Sequence, residues 1–341
     1  MNKKLGMKQV FIVLAEVLIL FIPFTSYADS TDSAYSVSAN IPEFQVNKNL
    51  SYFDLLLSPK QQESFSIHLA NDGQKEATYL VDVNNAATNS NGVIDYGQTE
   101  LKKDPSATYV LNQLVSPKNQ EVTLKAGEEK DVTFQVAMPD KSFSGIIIGG
   151  IHISKKDNES KKLEGTAIRN KYAYVIGVKF QNKTNAVAPD LKLRSAKPGL
   201  QNSYTTIFAN IQNPKPTIIS KTTIDAKITK KGSEKILYET KKNNLSIAPN
   251  TNFDFPISLE KQKIAAGDYT VTIDAKEENT NKAWHLTTDF TIKADKAKKI
   301  NQEAVTEKTD NSYLMIVMGV GSLLVLIILY LSYKLLKQKS R

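Results

Sequence analysis

The sequence predicts an all-β fold: two tandem immunoglobulin-like β-sandwich domains between a cleaved signal peptide and one C-terminal transmembrane helix. Three observations carry this. Apolar residues alternate with polar ones through most of the chain between Ala28 and Tyr313. Turn signals punctuate the alternation at strand-length intervals, and an apolar stretch lies near each end.

The first 28 residues read as a secretory signal. Lys3, Lys4 and Lys8 form a positive start, Val10–Phe24 an apolar stretch, and Ser26-Tyr27-Ala28 a small-residue cleavage site. Glu16 is out of keeping, because a carboxylate inside an apolar segment is costly in lipid. At the other end, Leu314–Leu331 is 18 residues without a charge. As a helix it measures ~27 Å, close to the ~30 Å hydrocarbon core. Tyr313, Tyr330 and Tyr333 suit the interfaces, and Lys334, Lys337, Lys339 and Arg341 follow directly. The positive-inside rule places that tail in the cytoplasm and the bulk of the chain outside.

Charge agrees with this topology. Of the formal +9, residues 1–28 contribute +2, residues 332–341 contribute +4, and the long middle keeps +3 with both signs interspersed. That is no nucleic-acid-binding surface. With 14 Tyr and 13 Phe the middle can bury a core. The absence of cysteine excludes thiol nucleophiles, disulfides, Cys-based zinc sites and lipid attachment through an N-terminal Cys.

Within the middle, Phe65/Ile67/Leu69, Val132/Phe134/Val136/Met138, Thr222/Ile224/Ala226/Ile228, Phe253/Phe255/Ile257/Leu259 and Tyr269/Val271/Ile273 each read as a half-buried strand. Ser58-Pro59, Asn71-Asp72-Gly73, Asn91-Gly92, Ala126-Gly127, Pro249-Asn250 and Ala266-Gly267 read as turns. Short strands at this spacing predict sandwiches over 29–155 and 169–295. The charge-crowded Ser154–Gly165 marks the boundary, a linker or hairpin over 156–168. Tyr172–Phe180 opens the second domain as a central strand. Residues 296–312 form a Lys/Glu-rich spacer with helical potential, 313–333 the membrane helix and 334–341 the basic tail.

No catalytic constellation emerges. His68, His152 and His285 lack metal-ligand spacing, so no metal and no cofactor are expected. Ser258-Leu259-Glu260-Lys261 has the SxxK spacing but falls at a strand end, with no SDN or KTG elsewhere. Setting Gly92 as the sixth residue of a calcium loop puts Ala87 first and Gln98 twelfth, where acids are needed. A hydrolase would need an acid pair that is missing. The sequence reads as a binding protein, not an enzyme.

Tyr52-Phe53-Asp54-Leu55, the run Asn85–Tyr96, and Met138-Pro139 followed by Phe143–Ile151 resemble the N-terminal, peptidoglycan-binding domain of the WxL-interacting proteins of Gram-positive bacteria. Tyr172-Ala173-Tyr174-Val175-Ile176-Gly177, Ala248-Pro249-Asn250, Ala265-Ala266-Gly267-Asp268-Tyr269 and Trp284 resemble that family's second domain. The resemblance implies a membrane-anchored partner of secreted WxL-domain proteins that assembles a complex on the cell wall. Its implied partners are peptidoglycan, WxL-domain proteins and host matrix proteins. A scaffold, sensor or adhesion subunit without direct glycan binding is the alternative, although ten tail residues are too few for an effector.

Asn89, Asn91, Asp95 and Tyr96 are the candidate glycan contacts: planar amides, a carboxylate and an aromatic face on one loop, with Gly92 permitting a left-handed turn. A local Asx turn whose amides satisfy their own backbone is the other reading. Gly149-Gly150 marks a bulge or close backbone approach. Trp284 is either a core residue or a partner anchor.

Overall fold

The computed structural model describes residues 35–99, 101–156, 172–305 and 322. The signal peptide, most of the charged boundary segment, the predicted membrane helix apart from Ser322, and the basic tail with Lys334, Lys337, Lys339 and Arg341 lie outside the described residues. Among the described residues no helix is long and apolar enough to cross a membrane.

The first domain runs through β1 (Ser36–Asn40), β2 (Phe53–Leu56), β3 (Gln62–Ala70), β4 (Ala77–Asn85), β5 (Ala87–Thr88), β6 (Ile94–Asp95), α1 (Leu111–Leu114), β7 (Val115–Ser116), β8 (Asn119–Leu124), β9 (Glu129–Ala137), β10 (Ile146–Lys155) and β11 (Ala173–Gln181). One sheet has the order β1-β3-β9-β7, the facing sheet β2-β11-β10-β4-β8, and β5-β6 form a separate two-stranded ribbon. Alternation drives their packing: Phe65, Ile67 and Leu69 of β3 and Val132, Phe134 and Val136 of β9 turn inward and are buried. Phe65 is the ring on which the sheets meet. It stacks 5.5 Å from Phe134, its own cross-strand partner, and meets Phe53 and Phe180 of the opposite sheet edge-on at 4.8 and 6.3 Å. The turn at Asn71 is a second anchor. Its buried side chain donates to the carbonyls of Lys75, Leu124 and Lys125 and accepts from the Tyr79 hydroxyl.

The second domain comprises β12 (Lys192–Gln201), β13 (Tyr204–Asn213), β14 (Ile219–Lys230), β15 (Ile236–Ile247), β16 (Thr251–Ser258), β17 (Gly267–Glu277), β18 (Ala283–Ile292) and α2 (Ala294–Glu303). A three-stranded sheet, β12-β13-β16, covers a four-stranded one, β15-β14-β17-β18. Ile224, Ala226 and Ile228 of β14, with Val271 and Ile273 of the neighbouring β17, face Phe253, Phe255 and Ile257 of β16 in one buried cluster.

Two segments sit differently from the sequence reading. Tyr172–Phe180, expected to open the second domain, forms β11 and pairs antiparallel with β10 and parallel with β2 in the first domain's sheet. Its alternation, with Ile176, Val178 and Phe180 inward, shows a strand but not which sheet it joins. A long charged connection between β10 and β11 lets the chain turn back beside its predecessor, so it serves a hairpin. The predicted spacer begins as α2, whose Ala297 and Ile300 are buried against the second core while Asn301 holds both backbone groups of Ile264. Its first turns belong to the domain.

Phe65→Ala is expected to lower stability by about 3–5 kcal/mol, because it leaves a cavity between rings of both sheets. Denaturant unfolding measures this, and a loss below about 1 kcal/mol would show that the sheets close over the gap.

Candidate functional site

The Asn-rich turn between β5 and β6 is built from its own amides. Asn89 Oδ1 accepts from the backbone N–H groups of Asn91 (2.9 Å) and Val93 (3.2 Å), and Gly92 turns at φ 72°. The back of the turn rests on the second domain. Ser246 N donates to the Gly92 carbonyl at 2.7 Å, Lys242 Nζ to the Ser90 carbonyl at 3.1 Å, and Ala248 N to Thr88 Oγ1 at 2.9 Å. A Cβ at Gly92 would collide with the Leu245 side chain. Glycine is therefore required twice, by the backbone and by the neighbouring domain.

The four residues expected to contact glycan divide. Asn89 holds the turn, and Asp95 binds Gly97 N at 2.8 Å and Gln98 Nε2 at 3.0 Å. Asn91 is exposed. Tyr96 leaves the turn and lies over Gly150 of β10, its Cβ 3.0 Å from where a Cβ at that glycine would stand. Burial, and next the neighbouring Tyr52 phenol, push the Tyr96 hydroxyl above its usual range.

A second cluster closes the seam between the domains around Asp104. This buried carboxylate accepts from Ser106 N (2.8 Å) and Ser106 Oγ (2.7 Å) of its own domain, and from Gln212 Nε2 (2.7 Å) and Asn252 Nδ2 across the seam. Burial alone would raise its pKa, but those hydrogen bonds outweigh it and hold the carboxyl below the usual range. Asn250, in the predicted Pro-Asn turn, donates to the Ser106 carbonyl at 3.0 Å, and Ile146 N donates to the Pro216 carbonyl at 2.9 Å. The cleft left here holds about 80 Å³, small beside the ~300–1,000 Å³ of ligand pockets.

On the outer face of the five-stranded sheet, strand register sets side chains in rows. Gly177, Gly150 and Asn84 are neighbours across β11, β10 and β4, and Val175, His152, Asp82 and Asn119 form the next row. Tyr52 lies over Gly177, its Cβ 3.6 Å from a Cβ built there. Gly149, one residue along, faces inward and packs against the Asn84 carbonyl and Leu111. The glycine pair thus marks close approach on both faces, with no register shift in either pairing of β10.

Elsewhere, His68 pairs with Asp131 at 3.0 Å and His285 with Asp274 at 2.6 Å, both on exposed faces. Among the described residues no group of three His, Cys, Asp or Glu could hold a metal. Trp284 on β18 is half-buried against the second core, and its indole N–H donates to Asp190 at 3.2 Å.

Two β-sandwiches joined by a hydrogen-bonded seam define a tandem-domain β protein. The peptidoglycan-binding domain of the WxL Interacting Protein family matches residues 35–155, and that family's host-binding domain matches residues 163–302. The chain belongs to the WxL Interacting Protein family, with both of these domains. The host-binding match begins ahead of β11, the strand that hydrogen-bonds into the first sheet. No curated protein matches. Among solved structures, a chain of the chaperone–tip adhesin complex of CFA/I fimbriae is 14% identical and aligns over 75% of this chain and 98% of its own, with a TM-score of 0.27. A chain of the CsuC–CsuE pre-assembly complex of Acinetobacter baumannii Csu pili is 10% identical over 74% and 98%, at 0.30. A PapD-like domain of human CEP192 is 11% identical over 48% and 99%, at 0.27.

Two predictions come from the seam. Gly92→Val should cost at least about 1 kcal/mol, and Leu245→Ala in the same chain should return part of the loss. Strict additivity in a double-mutant cycle would show that the turn does not press on the second domain. The Asp104 carboxyl, depressed when folded, stabilises above its unfolded value of ~3.9, and that contribution disappears as pH falls through the lower folded value. Asp104→Asn should therefore melt lower at neutral pH and lose less on acidification than the parent chain. Parallel acid limbs for the two would place the linkage on other carboxylates.

Proposed function

We propose that this chain is a non-enzymatic, membrane-anchored surface protein. Its first domain engages peptidoglycan, its second recruits secreted WxL-domain proteins and host proteins, and together they assemble a wall-associated complex. The match of residues 35–155 and 163–302 to the two domains of one family carries this reading. The anchor is the apolar stretch within 313–333, with the basic residues Lys334, Lys337, Lys339 and Arg341 on the cytoplasmic side. Of the Asn-rich segment, the exposed Asn91 and the ring of Tyr96 are the proposed contacts, while Asn89 and Asp95 act through the turn they hold. Trp284 is proposed as an anchor for a protein partner, since it keeps part of its ring in solvent while Asp190 fixes its orientation.

The full chain, solubilised in mild detergent, is expected to co-sediment with insoluble peptidoglycan and to carry a purified WxL-domain protein into the pellet. A chain that stays in the supernatant would overturn wall binding. One that pellets without its partner would overturn recruitment.

A further inference from the structure

Four stretches far apart in sequence meet on the outer face of the first domain's larger sheet: Tyr52, the Asn84–Tyr96 run, Gly150, and Val175–Gly177. Two tyrosines lie where two register-paired glycines leave room for them. A buried amide grips the backbone of each. Gln45 Nε2 donates to the Tyr52 carbonyl at 2.8 Å, and Asn84 Nδ2 to the Tyr96 carbonyl at 2.9 Å. Gln45 is 6% exposed and Asn84 1%, so both braces are fixed parts of the interior. Tyr52 itself is 39% exposed and Val175, beside the rings, 43%, so the two present adjoining apolar surface to solvent.

The adjoining row is polar. Asn119 Nδ2 donates to Asp82 Oδ1 at 2.6 Å, and next to Asp82 stands His152, whose buried Nδ1 has no hydrogen-bond partner among the described residues. An unmet buried polar atom is uncommon and calls for a reason. Two cations bordering the face are paired: Lys179 lies 2.6 Å from Asp54 and Lys156 2.8 Å from Glu121.

We propose that this face is the glycan-binding surface: an N-acetylated sugar ring of the peptidoglycan glycan strand lies across Tyr52, Tyr96 and Val175, with its hydroxyl and acetamido groups turned to His152, Asp82 and Asn119. The proposal rests on the reading that the first domain engages peptidoglycan, and it adds the ligand's chemistry and the surface. A pyranose ring has a C–H face that packs on aromatic faces and a rim of groups that pair with planar donors and acceptors. A backbone braced in advance lowers the ordering cost of binding.

The test sediments the full chain in mild detergent with insoluble peptidoglycan, alone and in the presence of a soluble N-acetylglucosamine tetramer. The tetramer should compete. Tyr52→Ala should weaken binding about tenfold, Tyr52→Phe should restore it, and Val175→Arg, at an exposed position, should reproduce the loss while keeping the melting temperature. Failure of the parent chain to pellet would overturn both the wall-binding reading and this proposal. A parent chain that pellets together with equally tight Tyr52→Ala and Val175→Arg would leave wall binding standing and overturn this surface. So would competition by muramyl dipeptide but not the tetramer, and so would variants that lose a WxL-domain protein while keeping the wall.

Discussion

Gly149 and Gly150 sit side by side in β10, and because successive strand residues face opposite ways, their missing side chains open one space on each side of the sheet. On the inner side the Asn84 carbonyl and Leu111 of α1 occupy it; on the outer side Tyr96 and Val175 do. The same strand pairs with β4 and with β11 and begins at Ile146, whose N–H reaches the Pro216 carbonyl of the second domain. Core, outer face and seam therefore share one backbone. A branched side chain at 150 would lift Tyr96, and with it the β5–β6 ribbon whose turn supports Ser246 and Leu245.

The seam is held chiefly by polar groups. Among the described residues its buried apolar cluster is small, Ala86, Ile148 and Ala248 with Ile94, Tyr96 and Ile146 at the margin, and Leu245 backs Gly92 beside it. Around it stand Asp104, Ser106, Gln212, Asn250 and Asn252, each with its hydrogen bonds made. Such a network contributes little net free energy against water, yet displacement of either domain would strand buried donors and a buried charge. What the network supplies is a defined orientation. Two sandwiches joined only by a flexible linker would lack it.

Much of this was legible in the sequence, because a strand with one buried face writes its period into its own residues. The alternations at Phe65–Leu69, Val132–Val136, Ile224–Ile228 and Phe253–Ile257 all became buried strands. Partnership was less legible. The pattern of Tyr172–Phe180 is local, whereas its pairing with β10 and β2 depends on where a long connection returns. The Asn-rich turn was recognisable as a turn through Asn91-Gly92, but nothing in it signals that Leu245, some 150 residues away, lies behind its glycine. The outer face was the hardest to see. Tyr52 alternates correctly for a surface residue, and only the register of β10 with β11 shows that two glycines lie beneath two tyrosines.

Chain connectivity then constrains how the two domains can work together. α2 ends at Glu303 and is packed on the second core, so only residues 304–312 separate that domain from the proposed membrane helix. Fully extended, nine residues reach about 30 Å, so an anchor in that position would tether the second domain within that distance of the bilayer. A sugar chain held on the outer face of the first domain would immobilise the second as well, because the seam leaves no free hinge between them. Any protein bound to the second domain is then kept near the wall at a high effective concentration without touching the glycan itself. On this account the seam couples two recognition surfaces into one assembly.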